Sequence, residues 1–106
     1  GAHRVEIKEE HQGAVWRIAL SGRLDTLAAA ELDKVIGAGI ADTAELIFDF
    51  ADVQYIASAG LRVLLVAQKQ MNKQGSMKLL HVNRDVKDVL EITGFINFLT
   101  IEESAV

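Results

Sequence analysis

Residues 45–56, ELIFDFADVQYI, lead straight into SAGLRVLLVAQKQM, and at that join the apolar period changes from that of a strand to that of a helix. This one feature limits the possible folds most. ELIFDF is a β-rich run of the kind buried in a central strand, and VQYI extends or resumes it after AD. A chain that leaves a central strand through a helix has to cross over before rejoining the sheet, which favours a parallel pairing with the next strand.

The rest of the chain repeats the pattern. In RVEIKEE, Val5 and Ile7 share one face while Arg4, Glu6 and Lys8 share the other, as in a half-exposed strand. Gly13 marks a turn, and AVWRIALSG resumes the alternation through Val15, Trp16, Ile18 and Leu20, so residues 4 to 21 read as an antiparallel hairpin. Beyond GRLD the period becomes helical, with Leu27, Ala30, Val35, Ile36 and Ile40 as the expected inner positions and Asp25 or Thr26 as the cap. The GAG at 37–39 lies near the end of this helix, where it loosens or terminates it; a phosphate cradle would need it between a strand and a helix start.

The second helix is expected from near Ser58 to about Lys73. Val63, Leu64, Ala67 and Met71 form its inner side, and Arg62, Lys69 and Lys73 lie elsewhere. Gly75 reads as its left-handed stop. MKLLHV reads as a strand. NRDVKDVLEITG reads as a third helix capped by Asn83, with Val86, Val89, Leu90 and Ile92 apolar and Gly94 as the stop. FINFLTI is a short terminal strand or docked segment. The sum is an α/β chain, residues 1–106 as one unit: an N-terminal hairpin followed by alternating helices and strands, with helices packed on a mixed sheet.

Composition narrows the function. Half of the 106 residues are hydrophobic and a quarter are charged, a balance suited to one folded core. The formal net charge of -4, with scattered lysines and arginines, disfavours direct nucleic-acid binding. No cysteine is present to form a disulfide, a thiolate nucleophile or a cysteine metal site, which suits a reducing cytoplasm. The longest apolar run, VLLVA at 63–67, is far short of the roughly 20 residues of a spanning helix. The charged N-terminal stretch does not resemble a signal peptide, so neither membrane insertion nor export is expected.

Ser58 stands between Ala57 and Ala59 and just before Gly60, where strand becomes helix. The simplest role is an N-cap, its hydroxyl accepting from a free first-turn amide. The same place suits a phosphate, which would meet those amides and the positive end of the helix dipole while adding about -1.5 to -2 of charge. Small neighbours leave the hydroxyl open to another protein's catalytic cleft.

SGRLDTLAAAEL, LIFDFADVQYIASAGLRVLL and VLEITGFINFL together resemble the STAS domain of bacterial anti-sigma factor antagonists, over nearly the whole chain. The middle segment is the specific part: an apolar strand, an Asp just before Val53, an aromatic-apolar pair, then Ser-small-Gly-Leu opening a helix. The resemblance implies a STAS-type fold and a binding switch with no catalysis and no cofactor of its own. In that family the unphosphorylated domain binds an anti-sigma factor that is also a serine kinase, which frees the sigma factor. Phosphorylation at the helix entrance weakens the association, and a phosphatase resets it. By motif the phosphorylated residue is Ser58. Asp25 matches the acidic residue of the family's strand-to-helix loop, expected near the serine. The partner surface so implied comprises Asp25, Thr26, Ala57, Ser58, Ala59, Gly60 and Arg62. Three of these depart from the pattern: the family commonly has Asp before the serine, Ser or Thr after it, and a small residue at position 62. A STAS scaffold or transporter-associated accessory subunit, with Ser58 only a cap, is the alternative.

Other chemistry has less support. Asp25, Asp49 and Asp52 suggest a metal or phospho-accepting site, yet Asp49 alternates with Phe48 and Phe50 on a strand and Asp52 has the position of a turn former. His3, His11 and His81 are scattered and lack an evident nucleophile partner. Trp16 and Tyr55 read as packing residues. Direct nucleotide binding at the helix entrance ranks last, because no phosphate-loop motif is present.

Overall fold

The structure, a computed structural model, describes residues 5–103; His3 and Arg4, considered above, lie outside them. The elements run β1 (Glu6–Gln12), β2 (Val15–Leu24), α1 (Thr26–Gly39), β3 (Glu45–Ile56), α2 (Ser58–Gln74), β4 (Ser76–Leu80), α3 (Arg84–Thr93) and β5 (Ile101–Glu102). Short 3-10 turns at Ile40–Asp42 and Phe95–Asn97 follow α1 and α3.

The five strands lie in the order β1-β2-β3-β4-β5. β1 and β2 form the expected antiparallel hairpin, and each later pairing is parallel across a helical crossover or, between β4 and β5, across α3 and its 3-10 turn. Register explains the core. Trp16 pairs with Leu46, Ile18 with Phe48, and Phe48 with Leu79, which places these side chains on one sheet face. All are buried, and they join one cluster with Leu32 and Ile36 of α1, Leu61, Leu64, Ala67 and Met71 of α2, and Val86 and Leu90 of α3. On the opposite face Arg17, Ala19, Ile47, Asp49, Lys78 and Leu80 are only half-buried.

VQYI continues β3 and does not begin a new strand. Between Ala19↔Asp49 and Ser21↔Asp52, and again between Gly22↔Val53 and Arg23↔Tyr55, β3 carries one more residue than β2. Such bulges bend a strand without ending it. Asp52 therefore sits within β3 at an irregular register, not in a turn. The Asp49 carboxylate helps hold the first bulge by accepting from the Ala51 amide at 3.0 Å.

Several inner positions differ from the periodic reading. Leu27 and Ala30 are exposed, and α1 buries Ala28, Ala29 and Leu32 instead, while Ile36 and Ile40 are buried as expected and Val35 is half-buried. Ile92 is likewise exposed on α3. The expected inner side of α2 is seen, with Val63 half-buried and Gln68 added to it. Gln68 stays satisfied there: its Oε1 accepts from the Thr100 amide at 3.1 Å and its Nε2 donates to Asn72 at 2.9 Å. Gly75 ends α2, but its φ of 176° is extended backbone and not left-handed. Glycine is needed for a different reason: a Cβ at Gly75 would run into the carbonyl oxygen of Ala44, beside which β4 begins. Asn83 caps α3 by accepting from Val86, and Gly94, with a φ of 81°, follows it as expected.

Candidate functional site

The parallel strands β2 and β3 end side by side, with Leu24 opposite Ile56. Each hands the chain directly to a helix. The Ala57 amide donates to the Leu24 carbonyl at 2.9 Å, so the entrances of α1 and α2 are joined by backbone. Ends of this kind, at the carboxyl edge of a parallel sheet, are where α/β folds gather binding residues.

The two entrances are capped differently. Asp25 is the N-cap of α1, and its Oδ1 accepts from the Ala28 amide at 2.9 Å, which selects Asp25 over Thr26 as the capping residue. Thr26 is exposed as the first helical residue. On α2 the N-cap is Ala57, with extended φ and ψ of -88° and 166° and no side-chain cap bond. Its carbonyl accepts from Leu61 at 3.1 Å. Ser58 is therefore not the cap. It is the first helical residue, one position too far along for its hydroxyl to take the capping geometry. Ser58 is exposed, and among the described residues its hydroxyl has no hydrogen-bond partner.

Around Ser58 the other motif residues come together in one turn. Ala57 and Ala59 are half-buried, Gly60 is buried, and Arg62 is exposed without an ion-pair partner among the described residues. Gly60 allows the helix to sit this close to the strand ends. A Cβ there would fall 2.9 Å from Leu24 Cγ and 3.1 Å from Ile56 Cγ1. The entrance also holds residues that periodicity assigned elsewhere. Leu27, two residues after Asp25 in the first turn of α1, is 78% exposed. Tyr55, expected to pack, is 40% exposed, and the Arg23 guanidinium lies 4.2 Å from its ring centroid. Alternation along the bulged end of β3 could not have been counted from the sequence.

The acidic residues do not converge. Asp25 is engaged in its cap, while Asp49 belongs to a separate network on the half-buried sheet face. There it receives Arg17 Nη2 at 2.7 Å and approaches His81 Nδ1 at 3.0 Å. Burial pushes the Asp49 carboxyl up, but the bonds from His81, the Ala51 amide and Arg17 outweigh it and hold the carboxyl below its ordinary value. Among the described residues no group of three metal-type side chains forms. His11 stacks on Trp16 on the other side of the fold. Nor is any helix among the described residues long and apolar enough to cross a membrane.

The family model for the STAS domain matches residues 6–105. The chain belongs to the STAS domain family. Among relatives of this STAS protein, BtrV of Bordetella bronchiseptica, described as a candidate anti-sigma factor antagonist, is 33% identical over 88 residues, which span 80% of this chain and 75% of BtrV. The STAS fold itself is matched by the crystal structure of an anti-sigma factor antagonist from Mycobacterium paratuberculosis, with a TM-score of 0.86 at 21% identity, covering 98% of this chain and 90% of that one. The Bacillus cell fate determinant SpoIIAA, in its phosphorylated form, superposes with a TM-score of 0.73 at 18% identity, covering 93% of each chain.

Proposed function

We propose that this STAS protein is an anti-sigma factor antagonist, a non-catalytic binding switch of the cytoplasm controlled by phosphorylation of Ser58. The observation that carries the reading is the state of that hydroxyl: exposed, without a hydrogen-bond partner among the described residues, and free of the capping duty that would tie it to the helix. The kinship with BtrV supports the same role, and SpoIIAA has been seen in a phosphorylated form on the same fold.

In this reading the unphosphorylated protein binds an anti-sigma factor with serine kinase activity and so releases a sigma factor. Asp25, Thr26, Ala57, Ala59, Gly60 and Arg62 surround Ser58 as the contact surface. A phosphate adds about -1.5 to -2 of charge at the centre of that contact, where repulsion and unpaired desolvation speed dissociation. A phosphatase restores the hydroxyl. Ala57 and Ala59, where the family commonly has Asp and Ser or Thr, favour a second reading: a STAS scaffold or transporter-associated subunit with no switch.

The test is site-resolved mass spectrometry after incubation with ATP and each serine-kinase anti-sigma factor of the host, followed by binding of the Ser58 variants. Phosphate on Ser58, with Ser58→Ala binding the kinase and Ser58→Asp failing to, is the expected result. No modification by kinases that are active on another substrate, together with equal binding of both variants, would overturn the switch in favour of the scaffold.

A further inference from the structure

At the opposite end of β2 from Leu24, register puts Glu9 opposite Ile18 and His11 opposite Trp16, so both edge-strand residues share the helix-covered face of the sheet. The end of α1 does not reach across to them. What remains between α1 and β1 is a groove of about 450 Å³, with Trp16, Val35 and Ala38 as its apolar lining and Glu9, His11 and Lys34 among its polar residues. That volume is within the range of small-molecule sites, which run from about 300 to 1,000 Å³.

Three observations define what would fit. The His11 imidazole lies nearly parallel to the Trp16 indole, 17° off and 5.0 Å between centroids, so the indole already accepts a planar ring at this place. That imidazole is weakly held: its side chain is 57% exposed and its polar neighbour, Glu9, is 3.7 Å away. Lys34, finally, is a cation with no ion pair among the described residues, across the groove from the acid Glu9.

We propose that this groove binds a small planar aromatic carboxylate. The ring replaces the His11 imidazole against Trp16, and the carboxylate lies toward Lys34 and away from Glu9. Because the groove and Ser58 lie at opposite ends of β2, occupancy is measurable independently of any phosphorylation.

Trp16 is the single tryptophan of the chain, so its fluorescence and its one indole N–H resonance both report on the groove. The probe is salicylate, titrated against the full chain by both signals, with cyclohexanecarboxylate and salicylamide as the non-aromatic and uncharged comparisons. Saturable quenching with a shift of the indole N–H resonance is expected for salicylate, and much weaker effects for the other two. Lys34→Ala should weaken binding by about two- to fivefold, the scale of an exposed ion pair, while His11→Ala, which removes the competing ring, should tighten it. The proposal is overturned if salicylate leaves the indole resonance unmoved. It is equally overturned if the binding is unchanged in Lys34→Ala and matched by cyclohexanecarboxylate.

Discussion

The Ala57 amide donates to the Leu24 carbonyl at 2.9 Å, and this bond sets the capped entrance of α1 beside the uncapped entrance of α2. The consequence is a division of labour. Asp25 spends its carboxylate on helix stability, whereas Ser58 keeps its hydroxyl unused.

Substitution should separate the two roles. Asp25→Ala removes a cap bond and is expected to cost about 1 kcal/mol, whereas Ser58→Ala should stay within about 0.5 kcal/mol of the parent, as exposed positions do. Urea denaturation of both variants checks this. A loss at Ser58 equal to that at Asp25 would mean that the hydroxyl caps α2 after all.

Position 57 offers the converse experiment. Ala57 has N-cap geometry without an N-cap side chain, so Ala57→Asp should stabilise the protein by about 1 kcal/mol. It also restores the acid that the family commonly places before its serine. A rise in the urea midpoint with an unchanged slope is the expected outcome.

Gly60→Ala tests the tight contact beneath the same turn. With Leu24 Cγ only 2.9 Å from the added carbon, the helix or the strand end must shift, at a cost of about 1–3 kcal/mol. Thermal melting and the chemical shifts of residues 56–62 would register both the loss and the displacement. An unperturbed melt would show that α2 has room the geometry does not indicate.

The Asp49 network predicts a pH dependence. Its carboxyl is held below the ordinary aspartate value, so the folded state favours the charged form. The stabilisation is complete above the unfolded pKa of about 3.9 and is lost as pH falls through the lower folded value. Asp49→Asn should therefore cost about 1–2 kcal/mol at neutral pH, and the gap from the parent should narrow below about pH 4. Denaturation at pH 7 and pH 3 measures it; a gap of constant size would remove Asp49 as the titrating group.

Much of the sheet was legible because alternation leaves little freedom. Once Trp16, Ile18 and Leu20 must share one face, β2 has only one orientation, and the helix between it and β3 requires a crossover. The helix faces were less legible. Leu27 and Ile92 are apolar at plausible helical spacings, yet both are exposed, because which arc of a helix is covered depends on where its neighbours lie. The clustering of the motif around Ser58 was readable from local order; the neighbouring Arg23–Tyr55 contact was not, since it depends on two extra residues in β3.

By itself, then, the sequence determined the order of elements, the inward face of the central strands and the location of a serine at a strand-to-helix join, because these follow from periods of two and 3.6 and from residue types a few positions apart. Only the tertiary structure decided that Ala57 and not Ser58 caps α2, that Gly75 is required by Ala44, and that His11 comes to rest on Trp16. A one-residue difference in helix start, a backbone approach and a ring stack are all set by how separate elements meet in space.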